Sequence, residues 1–296
     1  DDLERRVIRA IGNPEARFRE DGLRLLRAIR FATVLGFALE PATQRALAAQ
    51  AERIRAVSEE RIASEFLRML TESARPSEAL ELLHTCGILR IIIPELEALR
   101  GTRQPPKYHP EGDVWTHTAL MLDELAYQRQ HGGVLAELLA GIDDWTDLFV
   151  AVLLHDVGKP PAYCEAVEPG GDVRIRFPNH APIGATMAET LLRWLKQPLA
   201  RIERVAGLVN QHMTFVDVEQ MRTAKLRRFL GHPDIRLMLA LIWLDIRFSN
   251  NDFTAWEFLY RKFRAFTQEP ILPEPRIRGR DLLALGFKPG PQLGQM

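Results

Sequence analysis

The sequence has little cysteine and no long hydrophobic run. Its 296 residues include only two cysteines, Cys86 and Cys164. Two distant cysteines provide neither a disulfide framework nor a four-thiolate zinc site, so we expect a reducing, cytoplasmic setting. No apolar stretch approaches the roughly 18 residues of a membrane-spanning helix, so no membrane partner is expected.

An excess of charge of either sign is also missing. Lys and Arg together number 39, and Asp and Glu together number 39. A balanced charge gives no general attraction to nucleic acid, so any contact with RNA must come from a local patch. What the sequence does have is 46% hydrophobic residues, enough for a sizeable core, and a length that favours about two domains.

Apolar residues recur at helical spacing along most of the chain, which predicts an all-α fold. A Pro- and Gly-rich stretch at 100–112 predicts a boundary between a helical region, 1–100, and a second helical domain, 101–268. Residues 162–177, AYCEAVEPGGDVRIRF, alternate and contain Gly170-Gly171, which predicts one inserted β-hairpin. A C-terminal segment follows at 269–296. In the second domain we predict helices over 113–130, 144–157, 181–196, 199–212, 222–230 and 234–264.

The stretch AVLLHDVGKP, residues 151–160, places a histidine and an aspartate at the end of an apolar run. A buried carboxylate is costly without a partner, and a metal ion suits both residue types. Other histidines and one acid also lie at unusual places on predicted helices. Each alone has a plain explanation: a histidine at a helix end is often a cap, and Asp245 could pair with Arg247. The full set of candidates is His117, His155, Asp156, His180, His212 and Asp245.

The order of these residues, with HDVGKP, resembles the HD-domain superfamily of metal-dependent phosphohydrolases. The resemblance implies one divalent ion with four ligands: His117, His155, Asp156 and Asp245. Asp156 would bridge to a second ion held by His180 and His212. Imidazole and carboxylate ligands suit Mn²⁺, Fe²⁺, Ni²⁺, Co²⁺ or Zn²⁺.

Three further residues around this site have expected roles. Lys159 could contact a substrate phosphate as a catalytic group beside Asp156. It could equally be a solvated lysine that the helix dipole favours. His109 and Glu111 are candidates for supporting the ligands. The substrate would be a phosphomonoester or phosphodiester, and cyclic 2′,3′-phosphates at RNA ends are one such class.

The stretch RFREDGLRLLRAIRFA, residues 17–32, predicts a helix with one charged and one buried side. One interpretation is a surface ladder of ion pairs worth a few tenths of a kcal/mol each. In the other, an Asp and an Arg held by a neighbouring Glu present an acceptor and a donor together, which can bind the edge of a base.

The pattern E-D-x-x-R followed by LRAIRFA resembles the nucleotide-selecting motif of class II tRNA nucleotidyltransferases, the CCA-adding enzymes, and of bacterial poly(A) polymerases. DDLERRVIRAIGNPEARF, YHPEGDVWTHT and RGRDLLALGFKPGPQLG resemble other segments of that family. The resemblance implies that Asp21 and Arg24 contact the base, that Glu20 orients Arg24, and that Arg27 supports the site. It also implies ATP or CTP with Mg²⁺ and the tRNA 3′ end as partners.

One departure from the family limits the expected activity. The family transfers nucleotides with carboxylates of a palm domain, whose glycine motif and D-x-D pair are not in this sequence; GGDVRIR at 170–176 has a different order. We therefore expect a neck, body and HD portion that hydrolyses phosphoesters but does not add nucleotides alone. The alternatives are a purely RNA- and nucleotide-binding module with a structural HD site, or a relative of poly(A) polymerase. Oligomeric state is left open.

Overall fold

The computed structural model describes residues 1–167, 173–215 and 218–266, together with Leu282, Leu285 and Gly286. Helices dominate these residues, which confirms the all-α prediction with a β-hairpin insertion. The expected turn at Gly170-Gly171 and nearly all of the C-terminal segment 269–296 lie outside the described residues. Among the described helices, none has both the length and the hydropathy needed to span a bilayer.

The first hundred residues form seven α-helices and one 3₁₀ helix, Ala51–Ala56. Asn13 caps the first by accepting a hydrogen bond from the Ala16 N–H, and Gly36 ends the second at φ 64°, a conformation that glycine adopts without strain. The helices are α1 Pro14–Glu20, α2 Leu23–Leu35, α3 Pro41–Ala49, α4 Glu59–Glu72, α5 Pro76–Thr85, α6 Leu89–Ile92 and α7 Pro94–Glu97.

Two short strands in this region were not predicted. β1 (Val7–Ile8) pairs in parallel with β2 (Ala38–Leu39), just beyond the end of α2. Two residues are too few to show the alternation by which a strand is recognised in a sequence. The pair ties the N-terminal residues to α2 and so helps to fix the start of α1.

Among the described residues, the second region contains the predicted hairpin, nine further α-helices and one 3₁₀ helix, Val218–Gln220. The hairpin pairs Cys164 with Arg176 and Val167 with Val173 in antiparallel register. The elements are α8 Val114–His131, α9 Val134–Leu138, α10 Thr146–Leu154, α11 Lys159–Ala162, β3 Cys164–Val167, β4 Val173–Arg176, α12 His180–Trp194, α13 Leu199–Gln211, α14 Thr223–Leu230, α15 Ile235–Arg247 and α16 Thr254–Phe266.

The prediction of one helix over 234–264 is wrong, because the chain breaks between α15 and α16. Asn251 adopts φ 56° in the break, and Asp252 accepts a hydrogen bond from the Thr254 N–H at 3.1 Å. Asn and Asp tolerate such turns because their short side chains bond to nearby backbone. The break brings residues 248–252 beside the end of α15, which bears Asp245.

The two regions share one hydrophobic core. α5 packs against α8, and α4 packs against α10. Helices of the first region therefore lie directly on α8, which carries His117, and on α10, which precedes His155 and Asp156. α10 is buried along its length and also contacts α13 and α15. The elements that carry the candidate ligands are therefore held by packing on several sides.

Candidate metal centre and neck motif

Five segments bring the six predicted metal ligands together. His117 lies in the first turns of α8, whose N-cap Asp113 accepts a hydrogen bond from the Thr116 N–H. His155 and Asp156 directly follow α10, His180 begins α12, and His212 follows α13. Asp245 lies near the end of α15. All six side chains are buried.

The first group of candidate ligands contains His117, His155 and Asp245. Their ligand atoms all lie within 4.8 Å of one another, and His117 Nε2 is 3.3 Å from Asp245 Oδ1. Ligands about 2.1 Å from a shared ion are separated by about 3 to 4 Å. The spacing is thus close to that of a metal site.

The second group contains Asp156, His180 and His212. Asp156 Oδ1 is 3.6 Å from His180 Nε2 and 3.7 Å from His212 Nε2, and the two imidazole nitrogens are 3.2 Å apart. The other oxygen, Asp156 Oδ2, is 3.1 Å from His155 Nε2 in the first group. Asp156 therefore lies between the two groups, where the resemblance places a bridging ligand.

The backbone fixes which nitrogen of each histidine faces the centre. In three of them Nδ1 lies within hydrogen-bond distance of the carbonyl three residues earlier, at 2.6 to 2.9 Å, and a carbonyl can only accept. Nδ1–H therefore donates, and Nε2 keeps its lone pair for the centre. The pairs are His155 with Val152, His180 with Phe177, and His212 with Val209.

His117 is held differently, by a carboxylate. Its Nδ1 lies 2.7 Å from Glu111 Oε1, which is also 2.8 Å from His109 Nδ1. Glu111 thereby links His109 to the predicted ligand His117. His109 and Glu111 are the two residues that the sequence suggested as supports for the ligands. A carboxylate on the outer nitrogen makes an imidazole a stronger ligand and fixes its ring.

The ionisable side chains at this centre have pKa values shifted from their ordinary values, some upward and some downward. Burial would raise the pKa of Asp156, but His155 and Lys159 hold it well below its usual range. Burial, together with His155, lowers the pKa of His212 to about 4, and burial also lowers that of His180. Burial acts the same way on His117, yet its neighbours Asp245 and Glu111 raise its pKa to about 9. The ionised carboxylates thus stabilise a positive charge at this centre.

Several atoms at the centre have no hydrogen-bond partner. They are buried, and they include His117 Nε2 and His155 Nε2. An unpartnered buried polar atom costs about 1–3 kcal/mol, so a cluster of them needs a further group. Two lone pairs and a carboxylate oxygen directed at one point fit a divalent cation, which would neutralise the acids and satisfy the orphaned nitrogens. The residues therefore fit the implied metal.

Lys159 is buried, which removes its interpretation as a solvated lysine. Its Nζ lies 2.6 Å from Asp156 Oδ2 and donates to Gln104 Oε1 at 2.6 Å. It also borders a cleft of about 770 Å³ whose walls include Asp156, His180 and Asp245. The cleft gives a small molecule access to the centre, with the Lys159 charge at its inner end.

Glycine permits the close approach that joins two parts of this centre. A Cβ atom on Gly158 would lie 2.1 Å from the His180 carbonyl oxygen and 2.6 Å from the Gly184 nitrogen. These are backbone atoms at the start of α12, so they cannot move aside independently of the helix. Gly158 therefore sets the distance between Asp156 and His180.

The predicted neck helix over 17–32 is two helices, and this part of the prediction is wrong. α1 ends at Glu20, Asp21 is extended, and α2 begins at Leu23. Asp21 Oδ1 accepts a hydrogen bond from the Leu23 N–H, which satisfies a free donor at the start of α2. Gly22 is needed at this corner, because a Cβ there would lie 2.5 Å from the Arg53 carbonyl oxygen.

The four predicted neck residues form three separate ion pairs around this corner. Glu20 Oε2 lies 2.5 Å from Arg24 Nη1, as expected if Glu20 orients Arg24. Asp21 Oδ2 instead lies 3.2 Å from Arg61 Nη2 on α4. Arg27 Nε lies 3.1 Å from Glu65 Oε1.

Glu65 and Arg61 form ion pairs with predicted neck residues, and the sequence did not point to either contact. Glu65 is buried and also lies 2.5 Å from the buried Arg30, so it holds two arginines of α2 against α4. A signal was present for Glu65, because it lies between Ile62 and Phe66 on the buried face of α4. Gln104 had no such signal, since it lies in the irregular stretch before α8.

Two family models match successive parts of the chain. The family model described as a probable RNA and SrmB-binding site of polymerase A matches residues 36–99, and the HD domain model matches residues 115–239. A CC-adding tRNA nucleotidyltransferase of Thermus thermophilus is 34% identical over 100% of this chain and 64% of its own length. An A-adding tRNA nucleotidyltransferase of Deinococcus radiodurans is 32% identical over 100% of this chain and 66% of its own.

Solved structures show the same fold at lower identity. The Bacillus stearothermophilus CCA-adding enzyme, determined with CTP, has a TM-score of 0.58 and 22% identity over 99% of this chain and 59% of that chain. The Thermotoga maritima CCA-adding enzyme, determined with tRNA, has a TM-score of 0.53 and 16% identity over 99% and 58%.

The fold and the site define a helical protein in which a neck and body lead into an HD domain. The chain belongs to the tRNA nucleotidyltransferase family. It spans about two thirds of the length of the curated relatives it matches.

Gly158→Ala should disrupt the centre. The added methyl group clashes with backbone of α12, so we expect a loss of more than about 3 kcal/mol of unfolding free energy and at least about tenfold weaker Mn²⁺ binding. Urea unfolding and calorimetric titration measure the two effects. Gly207→Ala on α13 is the control: nothing lies within 4 Å of its Cβ position, so stability should rise by up to about 1 kcal/mol. Wild-type values for Gly158→Ala would contradict the account.

Glu65→Gln should destabilise the neck. It leaves buried Arg30 without its carboxylate partner, which costs on the order of 3 kcal/mol of unfolding free energy. Chemical denaturation measures this loss. Glu60→Gln, one turn earlier on α4 and exposed, should change stability by less than about 0.5 kcal/mol. Equal effects of the two substitutions would mean that the Arg30 pair does not stabilise the neck.

Proposed function

We propose that this chain is the neck, body and HD portion of a tRNA nucleotidyltransferase, and that its HD centre hydrolyses phosphoesters with a divalent transition metal. One observation supports the hydrolase above all. Two buried carboxylates and four imidazoles meet at the base of an open cleft, and the Nε2 atoms of His117 and His155 have no hydrogen-bond partner. A purely structural centre would need no cleft.

The centre would use its residues in distinct ways. His117, His155, Asp156 and Asp245 would hold one ion, and His180 and His212 a second one bridged by Asp156. A divalent cation supplies a Lewis acid for phosphoryl oxygen and lowers the pKa of water. Mn²⁺, Fe²⁺, Ni²⁺, Co²⁺ and Zn²⁺ suit these ligands.

Lys159 would bind the substrate phosphate. Its Nζ is fixed between Asp156 Oδ2 and Gln104 Oε1 at the cleft. A fixed ammonium group there attracts a phosphoryl oxygen and stabilises the negative charge that develops on that oxygen during hydrolysis. Gln104 positions Lys159 by accepting a hydrogen bond from one of its three N–H groups.

The neck would serve the parent enzyme. Arg24, held by Glu20, and Asp21 would contact the base of ATP or CTP, and Arg27 would support α2 through Glu65. Nucleotide transfer, with Mg²⁺ and the tRNA 3′ end, requires a palm domain, whose glycine motif and D-x-D pair are not among these 296 residues. The relatives include CC-adding and A-adding enzymes, so the choice of nucleotide stays open, as does a poly(A) polymerase. Such tRNA processing agrees with a cytoplasmic location.

Asp156→Ala should abolish both metal binding and hydrolysis, because Asp156 contacts both groups of ligands. Metal content after dialysis and hydrolysis of p-nitrophenyl phosphate measure these effects, and circular dichroism should show nearly unchanged helix content. Asp252→Asn removes a carboxylate that lines the same cleft but is not among the six candidate ligands, and it should retain the metal. Wild-type hydrolysis in Asp156→Ala would remove the assignment.

Arg24→Ala should leave hydrolysis unchanged and weaken nucleotide selection. Arg24 lies in the neck, apart from the HD cleft, so we expect a loss of discrimination between CTP and ATP when the palm domain is supplied. The measurement is the ratio of kcat/KM for the two nucleotides. Arg17→Ala, which removes the other arginine paired with Glu20, is the matched control. Equal loss of hydrolysis and selection would make Arg24 a structural residue.

A further inference from the structure

A second hollow adjoins the HD cleft and has a basic wall. It has a volume of about 900 Å³, and Met213 and Gln220 border both it and the cleft. Met213 directly follows the candidate ligand His212 and is 40% exposed. The two hollows thus form one continuous surface that leads from the centre outward.

The wall of this second hollow is one face of α14. Lys225 and Arg228 on the helix, with Arg222 just before it, are exposed and line the hollow. The opposite face is apolar and buried, through Leu226, Phe229 and Leu230. The six helical steps from Arg222 to Arg228 extend about 9 Å along the helix axis. This length has room for more than one phosphate.

These charges have no acidic partner within the described part of the chain. Several exposed arginines form ion pairs, Arg193 with Glu189 and Arg204 with Asp234 among them, but Lys225 and Arg228 form none with any described residue. The protein as a whole has no net charge, so an unpaired basic row is a local feature rather than a general excess. Such a row provides an electrostatic site for a polyanion.

The position of this row beside the cleft selects one kind of polyanion. Asp156 is only 2% exposed at the inner end of the cleft, so only a narrow, unpaired strand end can approach it. The exposed apolar side chain of Met213, and Phe215 in the cleft, provide contacts for unstacked bases between the centre and α14.

We propose that the α14 row, consisting of Arg222, Lys225 and Arg228, binds the phosphate backbone of a single-stranded RNA whose terminal phosphoester enters the HD cleft. The substrate of the centre is then an RNA end rather than a free mononucleotide. This inference rests on the proposed hydrolase function and narrows its substrate class.

The test compares two substrates that carry the same scissile group. One is a single-stranded RNA of about eight nucleotides with a 3′-phosphate, and the other is a nucleoside 3′-monophosphate. The double substitution Lys225→Gln/Arg228→Gln should lower kcat/KM for the RNA at least about tenfold more than for the mononucleotide. The salt dependence of the RNA reaction should also decrease, by about 1.4 units of log kcat/KM per log salt, because about two phosphate contacts are lost and each contributes about 0.7 on a single strand.

A matched control exists on another surface. Arg193→Gln/Lys196→Gln removes the same two residue types at the same spacing, at the C-terminal end of α12, about 20 Å along the helix from His180. It should leave the preference for RNA unchanged. Equal effects of the two double substitutions would overturn the inference, as would wild-type enzyme that prefers the mononucleotide.

Failure of the hydrolase proposal gives a different result. In that case neither substrate is cleaved, and fluorescence anisotropy with the same RNA decides the inference. An unchanged Kd in Lys225→Gln/Arg228→Gln would overturn the RNA-binding surface. A Kd weakened at least about fivefold relative to the Arg193→Gln/Lys196→Gln control would support the surface and reject only the hydrolysis.

Discussion

The burial of two ionised carboxylates among imidazole lone pairs is the constraint on which the rest of the structure depends. Asp156 and Asp245 lie in the most apolar part of the second region, where an unpaired charge is very unfavourable. A buried charge there requires a cation and a rigid surrounding structure. The ends of α10, α13 and α15 and the start of α12 provide the geometry, and the Nδ1 bonds to backbone carbonyls fix the rings.

The same constraint explains features that are otherwise unrelated. Gly158 has no side chain because α12 must approach Asp156 closely. The break between α15 and α16 brings the Phe248 carbonyl to 3.3 Å from His117 Nδ1. Packing of α4 on α10 and of α5 on α8 connects this centre to the neck and body. A change in the body can therefore affect the HD centre through shared core residues rather than through a long linker.

Much of this arrangement could be predicted from the sequence, and the exceptions have physical causes. The candidate ligands could be found because histidines and acids at apolar helix ends are unusual, and the structure brings all six together. The corner at Asp21-Gly22 and the turn at Asn251 were missed because apolar spacing continues across both breaks. Glu65, Arg61 and Gln104 depend on contacts between distant segments, which spacing along one helix does not show. The predicted division into domains at residue 100 stays a prediction.

The most direct measurement of the central claim is an anomalous difference map from crystals grown with Mn²⁺. The account predicts a peak about 2.0 to 2.2 Å from His117 Nε2, His155 Nε2 and a carboxylate oxygen of Asp245, with Asp156 as a fourth ligand. A second peak between Asp156, His180 and His212 would correspond to the second ion. A map without density at this centre, in which each histidine Nε2 instead bonds to a protein group or to water, would contradict the account.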